Sequence, residues 1–136
     1  MGSFEIITNN PAVAEAYPEF AKFYETGVPE IFTIVRDKVH RGAKVLSHPL
    51  SGSLKPWETP YKSIMVSCPG GGLDFESLKY IENAIGMMKN RRLSNHSYPA
   101  EVLEDFSVID FDIIFRSTNV KAFHTEAQRH RGEYYD

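Results

Sequence analysis

Hydrophobic and polar positions along the chain switch repeatedly between the two-residue period of a strand and the 3.6-residue period of a helix. Phe4-Glu5-Ile6-Ile7-Thr8 is short and rich in β-branched residues, which predicts a strand. Asn9-Asn10-Pro11 follows, where Asn10 can cap a helix whose first position is Pro11 and which runs to about Tyr17. Phe20 to Tyr24 predicts a second strand, and Gly27 with Pro29 opens a second helix. Ile31, Ile34, Val35 and Val39 form its apolar face, opposite Glu30, Thr33, Arg36, Asp37 and His40. Gly42 is placed to end it in a left-handed turn, and Ala43 to Ser47 predicts a third strand.

Between Pro49 and Lys62 the chain has three prolines, one glycine and no usable period, the mark of a long loop, before Ser63 to Ser67 resumes as a fourth strand. After Cys68-Pro69-Gly70-Gly71-Gly72, Asp74 can cap a third helix, with Leu73 and Leu78 placed as a hydrophobic staple. Phe75, Leu78, Ile81, Ile85 and Met88 form its stripe, and Lys89, Arg91 and Arg92 complement the negative end of its dipole. Arg92 to Pro99 reads as a loop. Val102, Leu103 and Phe106 suggest a short helical turn, Val108 to Phe111 an extension of the sheet, and Asp110 or Asp112 the start of a terminal helix. His124 to Asp136 reads as a frayed helix or a flexible tail.

Strands alternating with helices predict an α/β fold: a small three-layer sandwich around a mainly parallel sheet of about four to five strands. With 136 residues the chain has the size of one domain, 1–136. Fifteen Lys and Arg against eighteen Asp and Glu give a net charge of −3, which argues against nucleic acid or anionic lipid as a partner. No apolar run is long enough to span a bilayer and no signal pattern opens the chain, so a cytoplasmic location is expected. The single cysteine, Cys68, excludes an intrachain disulfide. His40, His96, His124 and His130 lack metal-ligand spacing, so no metal is expected. Neither a GxGxxG nor a P-loop is present, and no cofactor is expected.

In a parallel sheet, ligands collect beyond the carboxyl ends of the strands. Three loops would open there: Thr8-Asn9-Asn10-Pro11, the stretch from Ser47 to Pro56, and Ser67 to Gly72. Arg36 to Lys62 holds six Lys and Arg against two acids, so positive charge is concentrated near them. Thr8, Asn9, Asn10, His48, Ser51, Gly52, Ser53, Lys55, Thr59 and Lys62 are the candidate ligand residues, hydroxyls and amides for orientation and lysines for charge. The ligand they suit is a small anion. Against this stands a local reading in which Asn9 and Asn10 only build a turn and a cap, and His48 only holds the Pro49 turn.

No catalytic residue follows from any motif. A small enzyme would use His48 as acid or base, or Cys68 as nucleophile. A pair of the two requires that the strand ends carrying them lie together. Cys68 has the bland alternative of a small buried residue. A protein-interaction module would act through the 49–62 loop, with Trp57 either tucked under as an anchor or left out for the partner. Glu101, Glu104, Asp105, Asp110 and Asp112 make an acidic stretch that reads as a solvated face or a dock for a basic partner. The oligomeric state is left open.

At Ile6-Ile7-Thr8-Asn9-Asn10-Pro11, at His48-Pro49-Leu50-Ser51-Gly52-Ser53-Leu54-Lys55-Pro56 and at Glu58-Thr59-Pro60-Tyr61-Lys62-Ser63, the chain resembles the GrdX family. These are small proteins encoded beside the glycine, sarcosine and betaine reductase components of amino-acid-fermenting anaerobes. The resemblance runs from about Phe4 to about Arg92, with a weaker echo at Glu104-Asp105-Phe106 and Ile109-Asp110. It implies an accessory role in reductive amino-acid metabolism in an anaerobic cytoplasm, with a reductase component as a candidate partner. It assigns no catalytic residue, and a genomic association does not by itself separate an enzyme from a binding protein.

Overall fold

The computed structural model describes residues 3–52, 54–89 and 98–130, with side chains to residue 118. Ser53, Arg91, Arg92, His96 and residues 131–136 lie outside the described residues, as do the side chains of His124 and His130. The architecture is α/β. β1 (Phe4–Thr8) is the middle strand of a three-stranded mixed sheet, with β2 (Ala21–Phe23) parallel to it on one side and β3 (Ser63–Ser67) antiparallel on the other. Ile6 and Ile7 lie opposite Ala21 and Lys22 in the first pairing, and Thr8 lies opposite Ser63 in the second.

β1 turns directly into α1 (Pro11–Ala16), capped by the Asn10 side chain on the Ala12 amide with Pro11 at the first helical position. α2 (Val28–His40) buries Val28, Ile31, Phe32, Val35 and Val39, so Phe32 belongs to the face that the spacing assigned to Ile34. It ends as expected: Gly42 has φ 99, its amide bonds to Val39 C=O, and the Ala43 amide bonds to Lys38 C=O, closing the helix in a left-handed turn. A Cβ on Gly42 would also meet the Gly71 carbonyl oxygen at 2.8 Å. α3 (Phe75–Lys89) buries Ser77, Ile81, Ala84 and Met88, while Phe75 at its start is 75% exposed and does not join the stripe.

Helices cover both faces of the sheet. On one, Ile7, Ile64 and Val66 pack with α2 and α3; on the other, Phe4, Ile6 and Met65 pack with Val13 of α1 and Ile114 of α4 (Ala100–His130). Half-buried on the first face, the Glu5 carboxylate is held by Lys38 Nζ at 3.2 Å.

The sheet differs from the expected mainly parallel one of four to five strands in two ways. Ala43 to Ser47 forms only an isolated antiparallel bridge, Val45 to Val66. Main-chain bonds remain from the Leu46 amide to the Met65 carbonyl and from the Ser67 amide to the Lys44 carbonyl, but the amides between them turn to side chains: Ser47 Oγ accepts the Met65 amide at 2.8 Å and Ser67 Oγ accepts the Lys44 amide at 2.7 Å, which interrupts the ladder. β3 also runs antiparallel to β1. A parallel return needs a crossover that carries the chain back to the other end of the sheet, usually a helix. The described residues of 48–62 contain no helix, and the segment begins and ends at the carboxyl end of β1, where the Asn9 amide meets the Lys62 carbonyl at 3.4 Å.

The expectations for the C-terminal third are also corrected. The separate turn, the strand at Val108 to Phe111 and the new helix start at Asp110 or Asp112 are all parts of the single helix α4, which includes 124–130. β-branched and aromatic residues there favour a strand locally, but Phe111 and Ile114 gain more by packing on Phe4, Ile6 and Met65.

Candidate functional site

The carboxyl end of β1 opens on a polar rim. Thr8 Oγ1 shares a hydrogen bond with Ser63 Oγ at 2.7 Å and accepts the Asn10 amide at 2.9 Å. Asn9 uses its whole side chain: Nδ2 donates to the carbonyls of Thr26 at 2.8 Å and Pro60 at 2.9 Å, and Oδ1 accepts the Lys62 amide at 2.8 Å. Asn10 is equally committed. Its Nδ2 donates to the Ser107 carbonyl and to Asp110 Oδ2, and its Oδ1 accepts from Ala12 and from the Ser107 hydroxyl.

Asp110 closes this network from the middle of α4. Its carboxylate accepts the Ser63 amide at 3.0 Å, the Ser63 hydroxyl at 2.7 Å and the Asn10 amide group at 3.0 Å. Burial pushes its pKa above the ordinary 3.8, against the hydrogen bonds from Ser63 and Asn10 and the charge of Lys62. Lys62 is buried as well, and burial lowers its ammonium below 10.5 while the Asp110 charge pulls the other way. Its Nζ reaches the Ser51 carbonyl at 3.4 Å. Desolvation therefore outweighs mutual attraction at both groups.

The candidate residues separate into three sets. Thr8, Asn9, Asn10 and Lys62 come together as expected, but the two asparagine side chains are fully hydrogen-bonded within the protein, and the Lys62 ammonium is buried with one bond, at 3.4 Å, to the Ser51 carbonyl. Ser51, Thr59 and Lys62 line one small pocket with Asp110 and Ile113, about 10 Å³ and so room for no more than a water molecule. Gly52, with φ 101, lies where the loop crosses α4: a Cβ there would meet Ile113 Cδ1, at 2.5 Å. Thr59 Oγ1 bonds only within its own turn, to the amide and carbonyl of Tyr61. His48 Nδ1 accepts the Leu50 amide at 3.0 Å while its ring lies 4.7 Å from that of Tyr80, so it holds the Pro49 turn. Lys55 is exposed, its amide bonded to Glu58 Oε1 at 2.8 Å.

The third loop does not share the rim. Because β3 is antiparallel, Cys68 to Gly72 leaves the opposite end of the sheet, where the Cys68 amide meets the Ser3 carbonyl and Gly71 approaches Gly42. His48 and Cys68 are therefore not a pair, and Cys68 is exposed rather than a small buried residue.

One ligand-sized space does open on the rim, at residues outside the candidate set except for Thr59. It is a cleft of about 270 Å³ between the start of α2 (Thr26 to Pro29) and the segment Trp57 to Pro60, with Tyr98 on its wall. Gly27 begins α2 without a side-chain cap hydrogen bond, Pro29 adds no N–H to its first turn, and Trp57 is both anchor and wall, packed on the core and lining the cleft. Glu30, the acid of that first turn, lines a neighbouring groove, and its Oε1 lies 2.8 Å from where a Cβ on Gly27 would stand. Asn9 fixes the cleft's width, since its two amide hydrogens hold Thr26 on one wall and Pro60 on the other.

Asp110 is the residue the sequence hid best. Ser107, Asp110, Ile114 and Thr118 recur at helical spacing on one buried face, but alternation of polar and apolar residues masks the stripe. Among the described residues no helix is long and apolar enough to cross a membrane. No curated protein and no solved structure matches the chain. The family model for GrdX-like protein matches residues 5–119, which extends the resemblance through the Asp110 helix and includes every residue of the rim network. The chain belongs to the GrdX-like protein family.

Proposed function

We propose that this chain is a non-catalytic accessory protein of glycine, sarcosine and betaine reductase metabolism in the cytoplasm, and that it binds a small anionic ligand, an amino-acid carboxylate or a phosphate-bearing metabolite, at the rim. The metabolic setting rests on the family. The binding reading rests on the cleft, whose volume approaches the lower end of small-molecule sites, roughly 300 Å³. Its walls divide the work by chemistry. Trp57 and Tyr98 offer apolar ring surface, and the start of α2, which has no side-chain cap bond, offers the positive end of a helix to an anionic group. Of the residues first expected to hold the anion, Thr59 lines the cleft and Asn9 holds its two walls.

Trp57 is the single tryptophan, so its fluorescence reports occupancy of the cleft. Titration with glycine, N-methylated glycines, glutamate and inorganic phosphate should give a saturable change for at least one. Gly27→Asp sets a second carboxylate at the start of α2, where its Cβ would meet Glu30 Oε1 at 2.8 Å and turn that side chain aside, and the added negative charge should remove the response to an anion. A flat signal with every ligand, or a response that survives Gly27→Asp, rejects the reading.

A further inference from the structure

β2 is an edge strand, and no described residue pairs with its outer side. The Phe20 carbonyl and the Tyr24 amide bond inward to β1 at 2.9 Å each, so the alternation of the ladder turns the Phe23 amide and carbonyl and the Ala21 carbonyl outward. The Ala21 amide is taken by the Tyr17 carbonyl at 2.8 Å. Beside this edge, between it and α2, lies an open groove of about 630 Å³ whose lining includes Tyr24, Glu25, Glu30 and Ile34. Among the described residues two carboxylates line it and no cation does. Lys22 is exposed at the centre of the edge and on the α2 side of the sheet, because it lies opposite Ile7, which packs with α2. Among the described residues no ion pair involves Lys22, Glu25 or Glu30.

We propose that the β2 edge is the interface of a two-fold dimer, in which a second copy of this chain adds its own β2 in antiparallel pairing centred on Phe23. A residue whose amide and carbonyl both point outward matches its own copy, since an antiparallel hydrogen-bonded pair exchanges both bonds. Phe23 therefore bonds twice to the Phe23 of the second copy, and each Ala21 carbonyl accepts the Glu25 amide of the other chain. The two Phe23 rings, 43% exposed in one chain, meet face to face on one side of the sheet. On the other side each Lys22 lies opposite the Tyr24 of the second copy and enters its groove beside Glu30. The charges are complementary, which favours a second copy over an unrelated strand. An unpaired edge is otherwise a site of indiscriminate association.

Sedimentation equilibrium of the full chain tests this. The expected mass is twice 15.5 kDa. Phe23→Pro removes an outward amide and an exposed ring but leaves the bonds of β2 to β1, so it should give a monomer with unchanged far-ultraviolet dichroism. Lys22→Glu sets a like charge in the groove and should weaken association by about tenfold or more. Combining it with Glu30→Lys restores complementarity and should recover the dimer. A monomeric parent overturns the proposal, including one that captures an extended peptide instead. So does a dimer that persists in folded Phe23→Pro and Lys22→Glu proteins.

Discussion

The two ends of the sheet are built from similar residues and behave in opposite ways. At the carboxyl end of β1, Thr8, Asn9, Asn10, Lys62 and Ser63 are nearly or fully buried; Asn10 and Ser63 bond directly to Asp110, Thr8 bonds to Ser63, and Asn9 bonds to the Lys62 amide. At the other end, Cys68 to Gly72 is exposed, Gly70 and Gly71 have positive φ, and a Cβ on either would meet open space. Read as sequence, both are short polar or glycine-rich loops after a strand. The difference is where their hydrogen bonds go. A polar loop residue is available to a ligand only when its donors and acceptors are left over after folding, and at the rim the obvious ones are not.

The sharpest break of this contrast is Asp110→Ala. It strands the Ser63 amide, takes one partner each from the Ser63 hydroxyl and the Asn10 amide group, and leaves Lys62 buried without its acidic neighbour. Losing one partner of a buried charged network should cost about 3–5 kcal/mol, measured by urea unfolding. A loss under about 1 kcal/mol would mean that water reaches the carboxylate and that the two ends differ less than described.

Asn10→Ala should come next. It removes the cap of α1 and the bridge to Ser107 and Asp110, at about 2–3 kcal/mol. Asn10→Asp keeps the cap but brings a second carboxylate against Asp110, so it should not rescue the loss. Recovery in the Asp protein would assign the whole effect to capping.

A smaller effect separates charge from hydrogen bonding. The folded pKa of Asp110 lies above its unfolded value, so its linkage contribution is fully present below about pH 3.8 and is lost as pH rises through the raised folded value. Asp110→Asn has no such dependence. The unfolding free energy of the parent minus that of the Asn protein should therefore fall as pH rises from about 3.8 upward. A difference that climbs over that interval would mean that the hydrogen bonds and Lys62 outweigh burial.

The opposite end should barely respond. Cys68→Ser replaces an exposed thiol with a hydroxyl of similar size and should change stability by no more than about 0.5 kcal/mol. Gly71→Ala meets no atom but adopts φ 84, so it should cost about 1 kcal/mol of backbone strain. If Cys68→Ser proved as damaging as Asn10→Ala, the glycine-rich end would have to be tied down by residues outside those described.

What the chain determined by itself was local. Asn10 with Pro11 specified a helix start, Gly42 its left-handed stop after α2, and Ser63 to Ser67 a strand with those bounds, because caps, φ restrictions and short hydrophobic periods act within a few residues. The alternation of strands and helices was enough for the α/β class. Strand direction was decided only in three dimensions, although one signal for it was present: a long loop without a helix between the third expected strand and the fourth cannot make a parallel crossover. The continuity of α4 was likewise a tertiary decision, since the β-branched run around Ile109 to Ile114 favours a strand until Ile114 and Phe111 meet the far face of the sheet. The same decision governed the candidate site. Asn10 and Asp110 are 100 residues apart, and whether a polar side chain is free for a ligand depends on which distant donor or acceptor the fold brings to it.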